Sequence, residues 1–331
     1  MTTHTNDTRT DNTRTSGART VLVTSATGKT GRRVARVLEE RGARVLAGSR
    51  GGPTRFDWED PATWGPALDG ADAAYVSYHP DLAAPGAEEA MRTFGELAAA
   101  RGVRRLTLLS GRGEPAAVRA EEALRACGAE LTVVRASFFA QNFDEGLLAE
   151  GVAAGAIAFP AGDTAEPFVD VDDLAEVVVA TLVEDGHAGL VHEVTGPRAL
   201  TFAEVAAELS RASGREIAYV PMEEGEFAGM LVGFGMPEPE AAGLAALFAM
   251  LLDGHNTPVT DGVKRVLGRA PRDFTAYADR AFGPAPTAGP APTASPAQAQ
   301  NPVPAQGPAP AQDPAPARGP SAAPATAPAQ A

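Results

Sequence analysis

The apolar residues of this chain fall into short continuous runs, separated by stretches in which they recur at helical spacing. Val21, Leu22 and Val23 form the first run. A turn follows through Ser25-Ala26-Thr27-Gly28-Lys29-Thr30-Gly31, and then Val34, Val37 and Leu38 share one helical face. A short continuous run suits a strand buried on both faces of a parallel sheet. The same alternation returns. Residues 44–48, 73–78, 103–109 and 131–134 read as four more strands. Helices are expected at about 86–101 and around Val118, Ala123 and Leu124, the second ended by Gly128. Gly51-Gly52-Pro53 breaks the chain, and Pro61 opens a short helix through Leu68 with Asp60 as its cap. Strands alternating with helices predict an α/β fold, a doubly wound parallel sheet with helices on both faces.

The second half is less regular. Val169-Asp170-Val171-Asp172-Asp173 opens a helix through Leu182, with acids that complement its N-terminal dipole. The spacing of these acids does not match a calcium loop, so no metal is expected. Residues 191–194 and 217–220 read as short strands, and Thr201 with Glu204 forms a capping box. Residues 223–252 read as helical and carry Phe227, Met230, Leu231, Phe234, Leu244, Leu247, Phe248 and Leu251. That stripe is either core or a cap over the ligand crevice, where Met and Phe suit an adaptable apolar pocket. Residues 261–282 close the fold with one or two helices, and Pro271 suits a helix start.

Composition confines this fold to part of the 331 residues. Residues 1–18 are polar and almost free of apolar side chains, so disorder is expected there, with no signal peptide. Residues 283–331 alternate Pro and Ala and hold half of the 28 prolines, so a polyproline-like tail is expected. Between them, residues 19–156 are expected to form the core that holds the turn from Ser25 to Gly31. Residues 157–282 complete the sheet and supply a small, mostly helical substrate region. The single cysteine, Cys127, excludes an internal disulfide framework and points to the cytoplasm. No apolar run reaches the ~20 residues of a membrane span. A net charge of −14 disfavours nucleic acid. A small-molecule substrate is the expected partner.

The turn after the first strand reads S-x-x-G-x-x-G, with Ser25 where a first glycine is usual. Placed between a strand and a helix, it is the opening of a dinucleotide-binding unit, where glycines admit a pyrophosphate to the helix N-terminus. The second strand ends in Ser49-Arg50. An acid there would suit the free ribose of NAD, whereas an arginine suits a 2′-phosphate, so NADP(H) is favoured over NAD(H). Asp57 is either an adenine contact or a solvated loop acid. Tyr78, His79 and Ser110 stand at strand ends, where they either face the crevice or cap and pack. Tyr78 and Ser110 are the candidate catalytic residues.

The Tyr-x-x-x-Lys pair that protonates a carbonyl in common short-chain reductases is missing. Four positions after Tyr75, Tyr78, Tyr219 and Tyr277 stand His79, Leu82, Glu223 and Ala281, and the only lysines are Lys29 and Lys264. An iminium needs no acid when hydride arrives, and a quinone takes its proton from water afterwards. The segments T-S-A-T-G-K-T-G-R-R, F-D-W-E-D-P-A-T-W, L-L-S-G-R-G-E, V-R-A-S-F-F-A-Q-N-F, P-F-V-D-V-D-D-L-A-E-V and V-T-G-P-R-A-L-T-F-A-E-V resemble the NmrA-like branch of the atypical short-chain dehydrogenases. More narrowly, they resemble bacterial proteins akin to festuclavine and agroclavine dehydrogenases. The resemblance implies a Rossmann-type domain binding NADP. Gly28, Gly31 and their neighbours Ser25, Thr27, Lys29 and Thr30 would hold pyrophosphate. Arg50, after Ser49, would hold the 2′-phosphate and Asp57 the adenine, with Phe139 and Asn142 near the nicotinamide.

Three functions follow from these readings. One is an NADPH-dependent reductase of an iminium, quinone or similar acceptor. The second is a non-catalytic NADP sensor of the NmrA type that binds a protein partner. The third is an isomerase that uses bound nucleotide without net redox.

Overall fold

The first strand, β1 (Thr20–Val23), buries Val21, Leu22 and Val23 completely, and the turn that follows delivers the chain into helix α1 (Gly31–Glu40). The structure, a computed structural model, describes residues 18–284; the two terminal segments expected to lack a core fall almost wholly outside them. β2 (Arg44–Ser49) and the two-residue β3 (Thr54–Arg55) extend the sheet on one side of β1. α2 (Trp64–Leu68), β4 (Ala73–Val76), α3 (Ala87–Ala100), β5 (Arg105–Gly111), α4 (Pro115–Arg125) and β6 (Glu130–Ala136) carry it on in the other direction. The chain continues through α5 (Asn142–Glu145), α6 (Ala149–Ala154), β7 (Ala156–Phe159), β8 (Ala165–Glu166) and α7 (Val171–Val183). It finishes with β9 (Val191–Val194), β10 (Leu200–Thr201), α8 (Phe202–Ser213), β11 (Ala218–Pro221), α9 (Glu224–Gly233), α10 (Glu238–Leu251), α11 (Gly262–Leu267) and α12 (Phe274–Phe282).

The main sheet has the order β3-β2-β1-β4-β5-β6-β9, and every neighbouring pair is parallel. The order reverses at β1, so the chain leaves β1 on one side and β4 beside it on the other. A crevice opens at such a switch point, beyond the carboxyl ends of the strands. Alternate residues of each strand face opposite sides. Leu22, Ala74, Val76, Leu106 and Leu108 pack with Phe94 and Leu124 under α3 and α4, whereas Val21, Val23, Tyr75 and Val134 pack with α1 and α7.

A third cluster is built by residues after β6. Phe143, Phe159, Phe168, Phe202, Phe227 and Phe274 are buried there, with Phe159 stacked on Phe202 at 5.0 Å. β7 pairs with β11 and β8 with β10, in two small sheets beside the main one. The capping box at Thr201 forms as expected. The helical stretch expected at 223–252 is two helices, because Gly235 turns with φ +92° and Pro237 cannot continue a helix. The last helix begins at Phe274 with the Asp273 side chain as its cap, rather than at Pro271. The Asp trio serves helix and ion pairs: Asp170 caps α7, Asp172 meets Arg33, and Asp173 meets Arg269 and Arg272.

Candidate functional site

A cavity of about 790 Å³ opens where β1, β4, β5 and β6 end. Its floor is the turn after β1. Ser25 adopts a left-handed backbone with φ +52°, the conformation for which glycine is the usual residue, and its hydroxyl donates to the Ser77 carbonyl at 3.1 Å. That bond ties the turn to the end of β4. Gly31 has no alternative: a Cβ there would stand 2.2 Å from the Ser25 carbonyl oxygen. The amides of Thr27, Lys29, Thr30 and Gly31 have no acceptor among the described residues. They form a cluster of N–H donors at the start of α1, the arrangement that suits a pyrophosphate. The residues present therefore fit a dinucleotide.

The Lys29 side chain crosses from this turn to the segment after β6. Its ammonium donates to Asn142 Oδ1 and lies 6.0 Å from the centre of the Phe139 ring. Burial pulls its pKa below the usual lysine value. Lys29, Phe139 and Asn142 thus line the cavity together with Ser25, Gly28 and Thr30.

Tyr78, His79 and Ser110 line it too. The hydroxyls of Tyr75, Tyr219 and Tyr277 donate to Thr30, the Phe159 carbonyl and Asp144. Tyr78 packs its ring on Trp58 at 5.0 Å, and burial raises its phenol pKa. Ser110 has already committed its proton, donating at 2.6 Å to Glu121, a buried acid that Arg135 holds through two further bonds. Ser110 therefore offers the cavity an acceptor oxygen and no proton.

Thr27, Gly31, Ser49, Arg50 and Asp57 do not line this cavity. Arg50 is exposed at the end of β2 and makes no ion pair among the described residues. The Asp57 carboxylate accepts from the Glu59 amide at 3.1 Å, shaping its own turn.

The sequence reading missed two acids in the cavity wall. Glu114 is 8% exposed, and Glu166 is 3% exposed. Glu114 stands at the N-cap of α4 yet does not cap it; its carboxyl folds back over Gly111, where a Cβ would lie 2.0 Å from Oε1. Its Oε2 is buried without a hydrogen-bond donor. Burial, with the nearby Asp81 and Glu121 carboxyls, pushes its pKa up to about 8. Glu166 accepts from the Phe138 amide at 3.1 Å, and burial pushes it up to about 7. In the sequence Glu114 stands just after a strand end, in S-G-R-G-E, a place that by itself does not mark a buried acid.

The roof is α10, which contributes Leu244, Leu247, Phe248 and Leu251. A second cavity of about 520 Å³ lies behind Glu114, lined by Arg112, Arg135, Glu193, His255 and Asn256.

No family model matches the chain. It is 32% identical to an agroclavine dehydrogenase of Claviceps fusiformis, over 78% of this chain and 96% of that protein. It is 29% identical to an NAD(P)H azoreductase of Xenophilus azovorans, over 80% of this chain and all of the other. Its fold is shared with a Citrobacter triphenylmethane reductase whose structure was solved with NADP(H). That likeness has a TM-score of 0.63 at 20% identity, covering 80% of this chain and 100% of the reductase.

Proposed function

Because the chain belongs to the NmrA-like branch of the atypical short-chain dehydrogenases, a family of NAD(P)H-dependent oxidoreductases, we propose that it passes hydride from NADPH to an iminium, a quinone or a comparable small acceptor. One observation carries the reading. A single cavity runs from the donor-rich turn of Ser25, Gly28, Lys29 and Thr30, past Phe139 and Asn142, to an apolar roof at α10. The turn would hold the pyrophosphate, Phe139 and Asn142 would flank the nicotinamide, and the roof would receive an apolar or aromatic acceptor.

The bound dinucleotide supplies the hydride. The protein supplies position and the exclusion of water. Lys29 is held between Asn142 and the Phe139 ring, so its charge lies beside the phosphate turn without a carboxylate partner. Arg50, exposed beyond β2, would meet the 2′-phosphate and favour NADPH. No Tyr-x-x-x-Lys pair serves as proton donor; Tyr78 has no lysine four positions on.

Nucleotide fluorescence tests this directly. The full chain is titrated with NADPH and NADH, and a quinone and an iminium are then added to the bound complex. Tight NADPH binding followed by oxidation is expected. Tight binding with no oxidation by either acceptor would favour a nucleotide sensor instead.

A further inference from the structure

Glu114 occupies a place that the function above leaves unused. Glu114 lines the main cavity and also the second one, so it stands in the wall they share. It is more than nine-tenths buried, and its Oε2 finds no donor. Gly111 has no side chain, and that gap is what admits the carboxyl to the cavity edge beside Ser110. Asp81, in the loop after β4, lines the same main cavity. A neighbouring carboxyl disfavours the ionised form of Glu114. Glu121, on α4, adds a further negative charge. The cations nearby are already engaged. Arg135 is bound to Glu121, and Arg112 is bound to Glu193 and the Asn256 carbonyl. His255, across the second cavity, is bound to Asp253. Glu166 faces the main cavity from β8 and is satisfied by the Phe138 amide. The N-terminus of α4 would favour a carboxylate at Glu114, but the side chain makes no hydrogen bond to those amides.

We propose that Glu114 is the proton donor for acceptors that need a proton as well as a hydride, and that the second cavity resupplies it. The inference rests on the reductase reading above. For a neutral azo acceptor the step balances as follows. Hydride leaves the dihydronicotinamide and bonds to one nitrogen, and the N=N π bond breaks. Its electron pair moves to the second nitrogen, which takes the proton from the Glu114 carboxyl. The product is a hydrazo compound, with oxidised nicotinamide and the Glu114 carboxylate. Water in the polar second cavity then returns a proton to Glu114. A cationic triarylmethyl acceptor is neutralised by hydride alone and needs none of this. The protein's acid thus widens its acceptors beyond those that the missing Tyr/Lys pair would allow.

The test uses full-length protein, wild type against Glu114→Gln, Glu166→Gln and Asp81→Asn, with NADPH binding measured first by nucleotide fluorescence. Two probes are then reduced at saturating NADPH: a neutral azobenzene dye and malachite green, a cationic triarylmethyl dye. For Glu114→Gln the loss in kcat on the azo dye is expected to exceed the loss on malachite green by about a hundredfold or more, the range of general-acid effects. The wild-type azo profile is expected to fall above about pH 8. Asp81→Asn is expected to move that limb to lower pH, since a neighbouring negative charge is removed. Infrared difference spectra of the cofactor-free protein add a readout independent of turnover. A protonated-carboxyl band at neutral pH is expected in wild type and is expected to weaken in Glu114→Gln, with the component that remains lost in Glu166→Gln.

Equal losses on both dyes would overturn the proposal. So would a larger loss on malachite green with a raised KM, which would make Glu114 an anchor for cations. A selective loss in Glu166→Gln alone, or a wild type without the infrared band, would also overturn it. Wild type that binds NADPH and reduces neither dye would refute the reductase reading itself, and the proton-donor role with it.

Discussion

At the scale of single residues, close approach sets the strongest constraints. Gly31→Ala would put a methyl group 2.2 Å from a backbone oxygen, so the turn or the start of α1 has to shift. Overpacking of this kind costs about 1–3 kcal/mol. A lower thermal midpoint is expected together with weaker NADPH binding, by calorimetry and titration; unchanged binding would show that the turn is not the pyrophosphate site. Arg50→Ala separates the two dinucleotides. Loss of a charge-assisted contact of about 1.5–3 kcal/mol predicts roughly ten- to a hundredfold weaker NADPH binding and little change for NADH. Equal weakening of both would make Arg50 structural.

Glu114 links the site to stability. Its pKa rises from 4.5 in an ordinary glutamate to about 8 in the fold, so the folded chain holds a proton that the unfolded chain releases. The sign follows. The contribution is full below about pH 4.5 and is lost as the pH rises through about 8. Glu114→Gln, neutral throughout, is expected to flatten the fall in thermal midpoint between those limits; a variant that tracks wild type across the range would place the carboxylate in water. Ser25 and Gly28 could be placed in the sequence from the strand–turn–helix pattern. Glu114 could not. An acid after a strand end reads as solvated, whereas here the carboxyl folds over Gly111, whose missing side chain leaves it room.

At the scale of elements, α7 is the joint between the sheet and the end of the chain. Its Asp173 side chain is fully buried and accepts from Arg269 at 2.7 Å and from the Arg272 amide at 2.6 Å, with the Arg272 guanidinium also against it. The same arginines hold Glu176 one turn on. Asp173→Ala leaves two guanidinium groups without this partner, and removal of one side of a buried pair costs about 3–5 kcal/mol. Urea denaturation checks this, and a loss below about 1 kcal/mol would make the network incidental. The parallel strands and the helices between them were legible because each is a local pattern: continuous apolar runs, then helical spacing. β7 and β8 were not, since each is two to four residues long and is defined by partners 34 to 62 positions away in β10 and β11. The break between α9 and α10 was written in Gly235 and Pro237, and the long apolar stripe concealed it.

At the scale of the molecule, the cavity has two unlike walls. The strand ends present the donor-rich turn, Lys29 and the buried acids, whereas α10 presents aliphatic and aromatic side chains. Leu247→Ser tests the division. Loss of apolar contact predicts roughly a tenfold rise in KM for an aromatic acceptor, with the NADPH dissociation constant within about twofold of wild type. Matching losses in both would mean that the roof also shapes the dinucleotide end.

Only Ala241 and Ala245 of α10 are completely buried, so most of that helix is not required to hold the sheet together. A lineage carrying this architecture can drift along one helix and acquire new acceptors while its nucleotide turn stays under constraint. Random variation confined to Leu244, Leu247 and Leu251 is therefore expected to return folded proteins with altered dye preference more often than equal variation at the strand ends.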